Sequence, residues 1–186
     1  HHIIAFNPLN PNTVYSGNAG GVYRSFDGGS AWHSLNNGLA ITQFYYGAVH
    51  PTLFRLYGGC QDNGTIATDG SSNWVEIIGG DGGATEVDYN NPDFVYGEDT
   101  NFCFYKSTDG GANFTKSMNG IPVGPGIFDG TTDRTLFITP FIMDPNNPNT
   151  LIGGTFRVWK TTDQAASWNP ISGDLTGDGT GTEGAT

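Results

Sequence analysis

SFDGGSAW, residues 25–32, is written four times along this chain with decreasing fidelity: STDGGANF stands at 107–114, TTDQAASW at 161–168 and ATDGSSNW at 67–74. The aspartates Asp27, Asp69, Asp109 and Asp163 follow one another at steps of 42, 40 and 54 residues. That spacing falls in the range of four-stranded propeller blades. The rest of the unit repeats in phase with the motif. A first strand ends in a Pro-rich turn in IIAFNPLNPNT, GAVHPTL, TEVDYNNPD and FIMDPNNPNT. A second is short and closes on glycine or an acid in VYSG, RLYGG, FVYGE and LIGG, and a third leads into the motif in GVYRS, GTIAT, FCFYKS and RVWKT. A fourth leaves it in WHSL, WVEII, FTKSM and WNPI.

Four strands written four times predict an all-β chain, a β-propeller of four-stranded antiparallel blades. The blades are expected at about 1–39, 40–80, 81–122 and 123–173, with 174–186 as a connector or tail. The motif has a local structural task in this reading. Its hairpin joins the third and fourth strands and must reverse tightly. The aspartate accepts hydrogen bonds from backbone N–H groups across the turn, as in Asx-turns. Gly29 supplies a positive-φ position, and Trp32 opens the next strand and folds over the turn toward the core. Ser25, Asp27, Gly29 and Trp32 make the full motif; Ser107, Asp109 and Gly111 are followed by Phe114. Asp163 and Trp168 keep company with Thr161 and Ala165, and Asp69 and Trp74 with Ala67 and Ser71. These aspartates read as hinge staples, not catalysts.

The motif resembles the Asp-box, or BNR, repeat (S-x-D-x-G-x-x-W) of sialidases, sortilin-type receptors and xyloglucanase-type glycoside hydrolases. The resemblance extends over almost the whole chain and implies the same propeller. Two loop phrases, YGGCQDNGT and IIGGDGG, are similar to a secreted subgroup of bacterial propellers of this type. Xyloglucanase-type enzymes place a catalytic aspartate ahead of the phrase matched here by GGVYR, where this chain has Asn18 and Ala19. That carboxylate is missing. With Arg24, Arg55, Arg134 and Arg157 the only arginines, a sialidase-type arginine triad cannot be assembled either.

Composition narrows the function classes. The 186 residues include 29 Gly and 10 Pro, 13% aromatic and 13% charged residues. Aromatic-rich, charge-poor chains bury enough surface to fold, and abundant turn residues fit many short strands. No apolar run is long enough to span a bilayer, so membrane insertion is not expected. The net charge of −11 disfavours nucleic acid, whose binding needs cations against phosphate. An acidic surface poor in lysine fits an extracellular or cell-surface location. Cys60 and Cys103 read as two buried thiols or, lying near one end of neighbouring blades, as a disulfide. No cofactor and no metal site is expected.

The meander assigns function to one end. Motif hairpins and Pro-rich turns share one end of the blades. Loops between second and third strands and the inter-blade connectors share the other, which in propellers surrounds the channel mouth. That end gathers Gln61, Asp62, Asn63, Asp81, Asp99, Phe102, Phe156 and Arg157, with Glu98, Asn101 and an insert around Phe128 to Arg134. Acids take hydroxyls and rings stack on apolar faces, a combination suited to a glycan or a protein ligand. Asp62 and Asp81 are the best carboxylate pair for glycoside hydrolysis, which needs two carboxyl groups within about 5–10 Å. In the tail, Asp174, Asp178 and Glu183 miss the EF-hand spacing and read as a connector.

His1 and His2 receive no role. Open sheet faces at the ends of an arc call for cover, by closure into a four-bladed ring, by another copy or by further blades of the same chain, the last being favoured. The expectation is about half of a larger ring of seven, eight or more blades. The leading function is a binding or assembly module; a glycoside hydrolase using Asp62 or Asp81 and a structural surface-layer or filament module are the alternatives.

Overall fold

The computed structural model describes residues 3–18, 20–39, 42–125 and 130–177, which form four antiparallel four-stranded sheets and no helix. His1, His2, Ala19, Phe128, Asp178 and Glu183 lie outside the described residues. The chain divides into two compact units, residues 1–43 and 44–186. The first unit is one blade, strands β1 (Ile3–Asn7), β2 (Asn10–Asn18), β3 (Gly21–Ser25) and β4 (His33–Ser34), paired in chain order.

The second unit holds three blades, each again paired in chain order. Blade two is β5 (Phe44–Val49), β6 (Leu56–Cys60), β7 (Gly64–Thr68) and β8 (Val75–Ile78). Blade three is β9 (Thr85–Val87), β10 (Val95–Asp99), β11 (Cys103–Ser107) and β12 (Thr115–Lys116). Blade four is β13 (Phe141–Asp144), β14 (Asn147–Gly154), β15 (Val158–Thr161) and β16 (Asn169–Pro170).

Blade three is packed on both faces, and strand alternation explains how. Successive side chains of β10 point to opposite faces. Val95 joins Tyr57 and Ala67 of blade two in one cluster, while Tyr96 joins Phe141, Met143 and Leu151 of blade four in another. Because the blade has two packed faces, all four residues Val95–Glu98 are buried.

The motif turns behave as their chemistry requires. The Ser25 hydroxyl donates to Asp27 Oδ1 (2.7 Å) and accepts from the N–H of Gly29 (2.9 Å), while Asp27 Oδ1 takes the N–H of Ala31 (2.9 Å). Ser107 and Asp109 repeat the arrangement with Gly111 and Asn113, and Thr161 and Asp163 repeat it with Ala165 and Ser167. In the worn copy Ala67 has no hydroxyl, and Thr68 Oγ1 accepts from Gly70 instead (3.1 Å). The turn needs two consecutive left-handed residues, Gly28 and Gly29 in blade one and Gly110 and Gly111 in blade three. Blade four imposes the same angles on Gln164 (φ 58°) and Ala165 (φ 61°), at a steric cost that glycine avoids.

A backbone bond ties each full motif to the Pro-rich turn of its own blade: Gly28 N–H to Asn12 O, Gly110 to Asp93 and Gln164 to Asn149, all 2.9 Å. Both loop sets therefore share one end. The motif aromatic reaches the blade before it: Trp168 packs edge-on against Phe102 and Phe104 and donates from Nε1 to Ser117 O (3.0 Å). Phe114 likewise packs against the cluster of Tyr57 and Ala67. Trp32 and Trp74 correct the expectation of a tryptophan folded into the core, since each is 41% exposed. Cys60 and Cys103 are buried thiols.

Hydrogen bonds hold two of the motif carboxylates below the ordinary carboxylate range. Bonds from the Asn113 side chain and N–H and the Ser107 hydroxyl lower the Asp109 pKa from 3.8 to about 2. At Asp163 burial works in the opposite direction, but bonds from Ser167 and Thr161 outweigh it and again bring the value to about 2. A folded pKa below the unfolded one adds stability that is complete above the unfolded value and vanishes as pH falls through the folded one. Melting temperature is expected to drop between about pH 4 and pH 2. A combined Asp109→Ala, Asp163→Ala variant should melt lower at neutral pH and show a flatter profile across that window, as read by circular dichroism melts.

Candidate functional site

At the end opposite the motif turns, glycines let backbones meet directly. The phrases YGGC and GGDGG, apart in sequence, press against each other: a Cβ on Gly59 would sit 1.9 Å from Gly83 O, and one on Gly82 would sit 2.3 Å from Gly64 O. Backbone bonds fasten the connector between blades two and three in place, Gly64 N–H to Gly80 O (2.8 Å), Gly82 to Cys60 O (2.9 Å) and Gly83 to Glu98 O (3.0 Å).

This seam brings three predicted acids into one chain of contacts. The N–H of Asp62 donates to Asp81 Oδ1 (2.8 Å), and the N–H of Asp81 donates to Asp99 Oδ1 (3.0 Å), which also takes the N–H of Thr100. Asp81 and Asp99 are thus staples of backbone, each holding the residue before it in the relay. Asp62 is exposed in a left-handed turn (φ 59°) between Gln61 and Asn63, and the Asn63 side chain donates to Gln61 O. Beneath the seam lies a carboxyl that the sequence did not single out as a ligand group. Glu98 is fully buried, and Oε1 accepts from Ala84 N–H (3.1 Å). Burial pushes its pKa well above the ordinary 4.5, with the charge of Asp99 adding to the rise against the bond from Ala84.

Phe102 is not at the surface. It was expected among the exposed rings, yet it is fully buried. Asn101 and Phe102 both adopt left-handed angles (φ 56° and 55°) at the tip of the β10–β11 hairpin. The ring lies so close to Gly153 of blade four that a Cβ there would meet it at 2.3 Å. The side chain locks blades three and four together instead of meeting a ligand.

Phe156 and Arg157 fall within a second network on blade four. The Phe156 ring is flanked by the guanidinium groups of Arg134 (4.7 Å) and Arg157 (4.2 Å). Arg157 pairs with Asp133 (3.2 Å), a buried carboxylate that also accepts from Thr155 Oγ1 (3.0 Å) and Trp159 Nε1 (3.2 Å). Arg134 is ion-paired with Asp174, whose pKa is lowered first by the Thr176 N–H and then by that arginine. Asp133 is the organising residue here, and its position inside a long insert was the only sequence signal for it.

The first strands of the three blades, β5, β9 and β13, border an open groove of about 490 Å³. Tyr46, Ile142, Ile152 and Val158 supply apolar walls, and Glu86 supplies a carboxylate. Burial raises the Glu86 pKa, opposed by the bond it accepts from Met143 N–H. Among the described residues, no group of three or more His, Cys, Asp or Glu side chains is arranged to hold a metal ion. No described helix is long and apolar enough to cross a membrane.

No family model and no curated protein matches the chain. Solved structures do match it. An ancestral GH74 enzyme is 18% identical with a TM-score of 0.52, over 94% of this chain and 26% of that one. An auxiliary nutrient binding protein from Bacteroides thetaiotaomicron is 12% identical with a TM-score of 0.51, over 92% and 41%. YCF48 from Cyanidioschyzon merolae is 15% identical with a TM-score of 0.49, over 93% and 56%. The chain spans between about a quarter and just over half of the length of these proteins. At such identity the likeness to the first two establishes the fold, blades of β-propeller type, and nothing finer.

Two substitutions test the seam. Gly59→Ala should lower stability by about 2 kcal/mol or more, because the added methyl meets backbone that cannot rotate away. For Glu98, a folded pKa above the unfolded one means that stability is full below about pH 4.5 and declines as pH rises toward the folded value. Glu98→Gln should remove that decline, measured as melting temperature against pH.

Proposed function

We infer that this chain is part of an extracellular or cell-surface propeller that binds a glycan or a protein at the channel end and performs no chemistry there. One observation carries the reading: the carboxylates of Asp81 and Asp99 are consumed in holding backbone N–H groups. A group already accepting charge-assisted bonds from a fixed backbone is poorly placed to shuttle protons. The groove bordered by β5, β9 and β13 supports a binding role, since apolar walls with two aromatic rings, Tyr46 and Phe141, and one carboxylate, Glu86, are the usual composition of a ligand site.

Further blades of the same chain, or another copy, complete the ring in this reading. Phe141 and Met143 pack toward blade three, so Ile142 between them faces the other way, 58% exposed beside Ile152. An apolar face of this kind favours cover by another blade, which would then close the groove on the side that Ile142 and Ile152 line.

A second reading, a glycoside hydrolase, draws on the contact that places Asp62 against Asp81. The two are separated by one set of measurements on the full-length protein. Glycan-array and peptide-display binding should succeed and weaken about tenfold in Tyr46→Ala or Glu86→Gln. No β-glucan cleavage should accompany it. Cleavage that disappears in Asp62→Asn or Asp81→Asn would overturn the non-catalytic reading, and absence of any binding would count equally against it.

A further inference from the structure

Blade two departs from the other three at its outer rim, and the departures coincide in space. Its Pro-rich turn is HPTLFR, residues 50–55, without the asparagines found in the other blades. His50 Nδ1 accepts the N–H groups of Thr52 (3.2 Å) and Leu53 (3.0 Å), which shapes a turn that leaves Leu53 62% and Phe54 73% exposed. The Phe54 ring occupies the space over Gly70, where the full motifs make their backbone bond.

The outermost strand also differs. β4, β12 and β16 have two residues each, short enough to offer little edge, whereas β8 has four. It ends the strand order of its sheet, so no described strand pairs with its outer edge. Val75 on β8 is 63% exposed. Protein chains blunt such edges by shortening or charging them, because an apolar edge invites pairing with another chain.

Between this strand, the Leu53–Phe54 turn and the motif turn of blade three runs a groove of about 960 Å³. Its rim carries Asp69 and Glu76, with Asp109 on the adjoining turn. The one cation, Arg55, lies over the Tyr57 ring (5.4 Å) and beside Asp69. On a chain of net charge −11 this rim favours a cationic partner.

We propose that this rim docks an extended basic segment of a partner protein, which adds to the outer edge of β8 as a fifth strand. Its backbone pairs with the edge, alternate apolar side chains enter the groove against Leu53, Phe54 and Val75, and the intervening lysines or arginines face Glu76 and the neighbouring acids. Strand addition obtains affinity from backbone bonds and specificity from pockets for every second side chain. The site lies at the rim of blade two and does not depend on the channel-end reading.

The test titrates the full chain with a short synthetic peptide that alternates lysine with valine and phenylalanine, followed by calorimetry. Binding is expected, and it should weaken with added salt. N-methylation of alternate peptide amides should abolish it. Val75→Ser and Leu53→Ser, both surface changes checked by melting, should each weaken it about tenfold. Glu76→Lys should weaken the lysine peptide and strengthen a glutamate counterpart. Tyr46→Ala and Glu86→Gln at the channel end should leave peptide binding unchanged, so that failure at one end is distinguished from failure at the other. No binding, or binding indifferent to N-methylation or to all three rim substitutions, overturns the proposal.

Discussion

Each full motif depends on a hydroxyl and a carboxylate two residues apart, which share a short hydrogen bond and divide the N–H groups of one hairpin between them. The hairpin leaves donors that no ladder satisfies, and an unmet buried donor is expensive. The clasp meets them locally, within eight residues of sequence. Because no other blade is needed for it, each copy can drift as long as some hydroxyl and some carboxylate remain. Thr161 replaces serine without loss, Thr68 substitutes from the next position, and Ala165 endures a left-handed angle.

What holds one blade to the next is different in kind. In blades three and four the aromatic after the clasp, Phe114 or Trp168, crosses to the preceding blade, and Trp168 anchors there both by its ring and by two hydrogen bonds, from Nε1 and from its N–H. Phe102 crosses in the opposite direction, from blade three onto Gly153 of blade four. Blades three and four are thus interlocked by large rings, Trp168 on Phe102 and Phe104 and Phe102 on Gly153. The glycine-on-glycine seam at Gly59 and Gly82 does the same with no side chain at all. Close backbone approach leaves room for little besides short acids that cap N–H groups, so Asp81 and Asp99 become scaffold.

The repeat was legible because it is periodic. Spacing and turn residues located sixteen strands and their meander, and Asp62 and Asp81, two residues grouped at one end by that reading, are joined by a bond from the Asp62 N–H. Site chemistry was less legible. Phe102 and Phe156 look alike in a loop, but one is core and the other lies between two arginines. Asp133 and Glu98 carry no local signature, since their importance comes from burial among groups distant in sequence.

The sequence alone determined the blade: its strands, its clasped corner and the loops gathered at the opposite end, all consequences of bonds between residues a few positions apart. Tertiary structure decided which side chains remain available. Trp32 and Trp74 carry the same motif position as Trp168 yet stand half exposed, and Asp81 is occupied while Asp62 is exposed. Such outcomes depend on how closely separate blades approach, and that distance is set by glycines and rings that a reading of one repeat at a time cannot bring together.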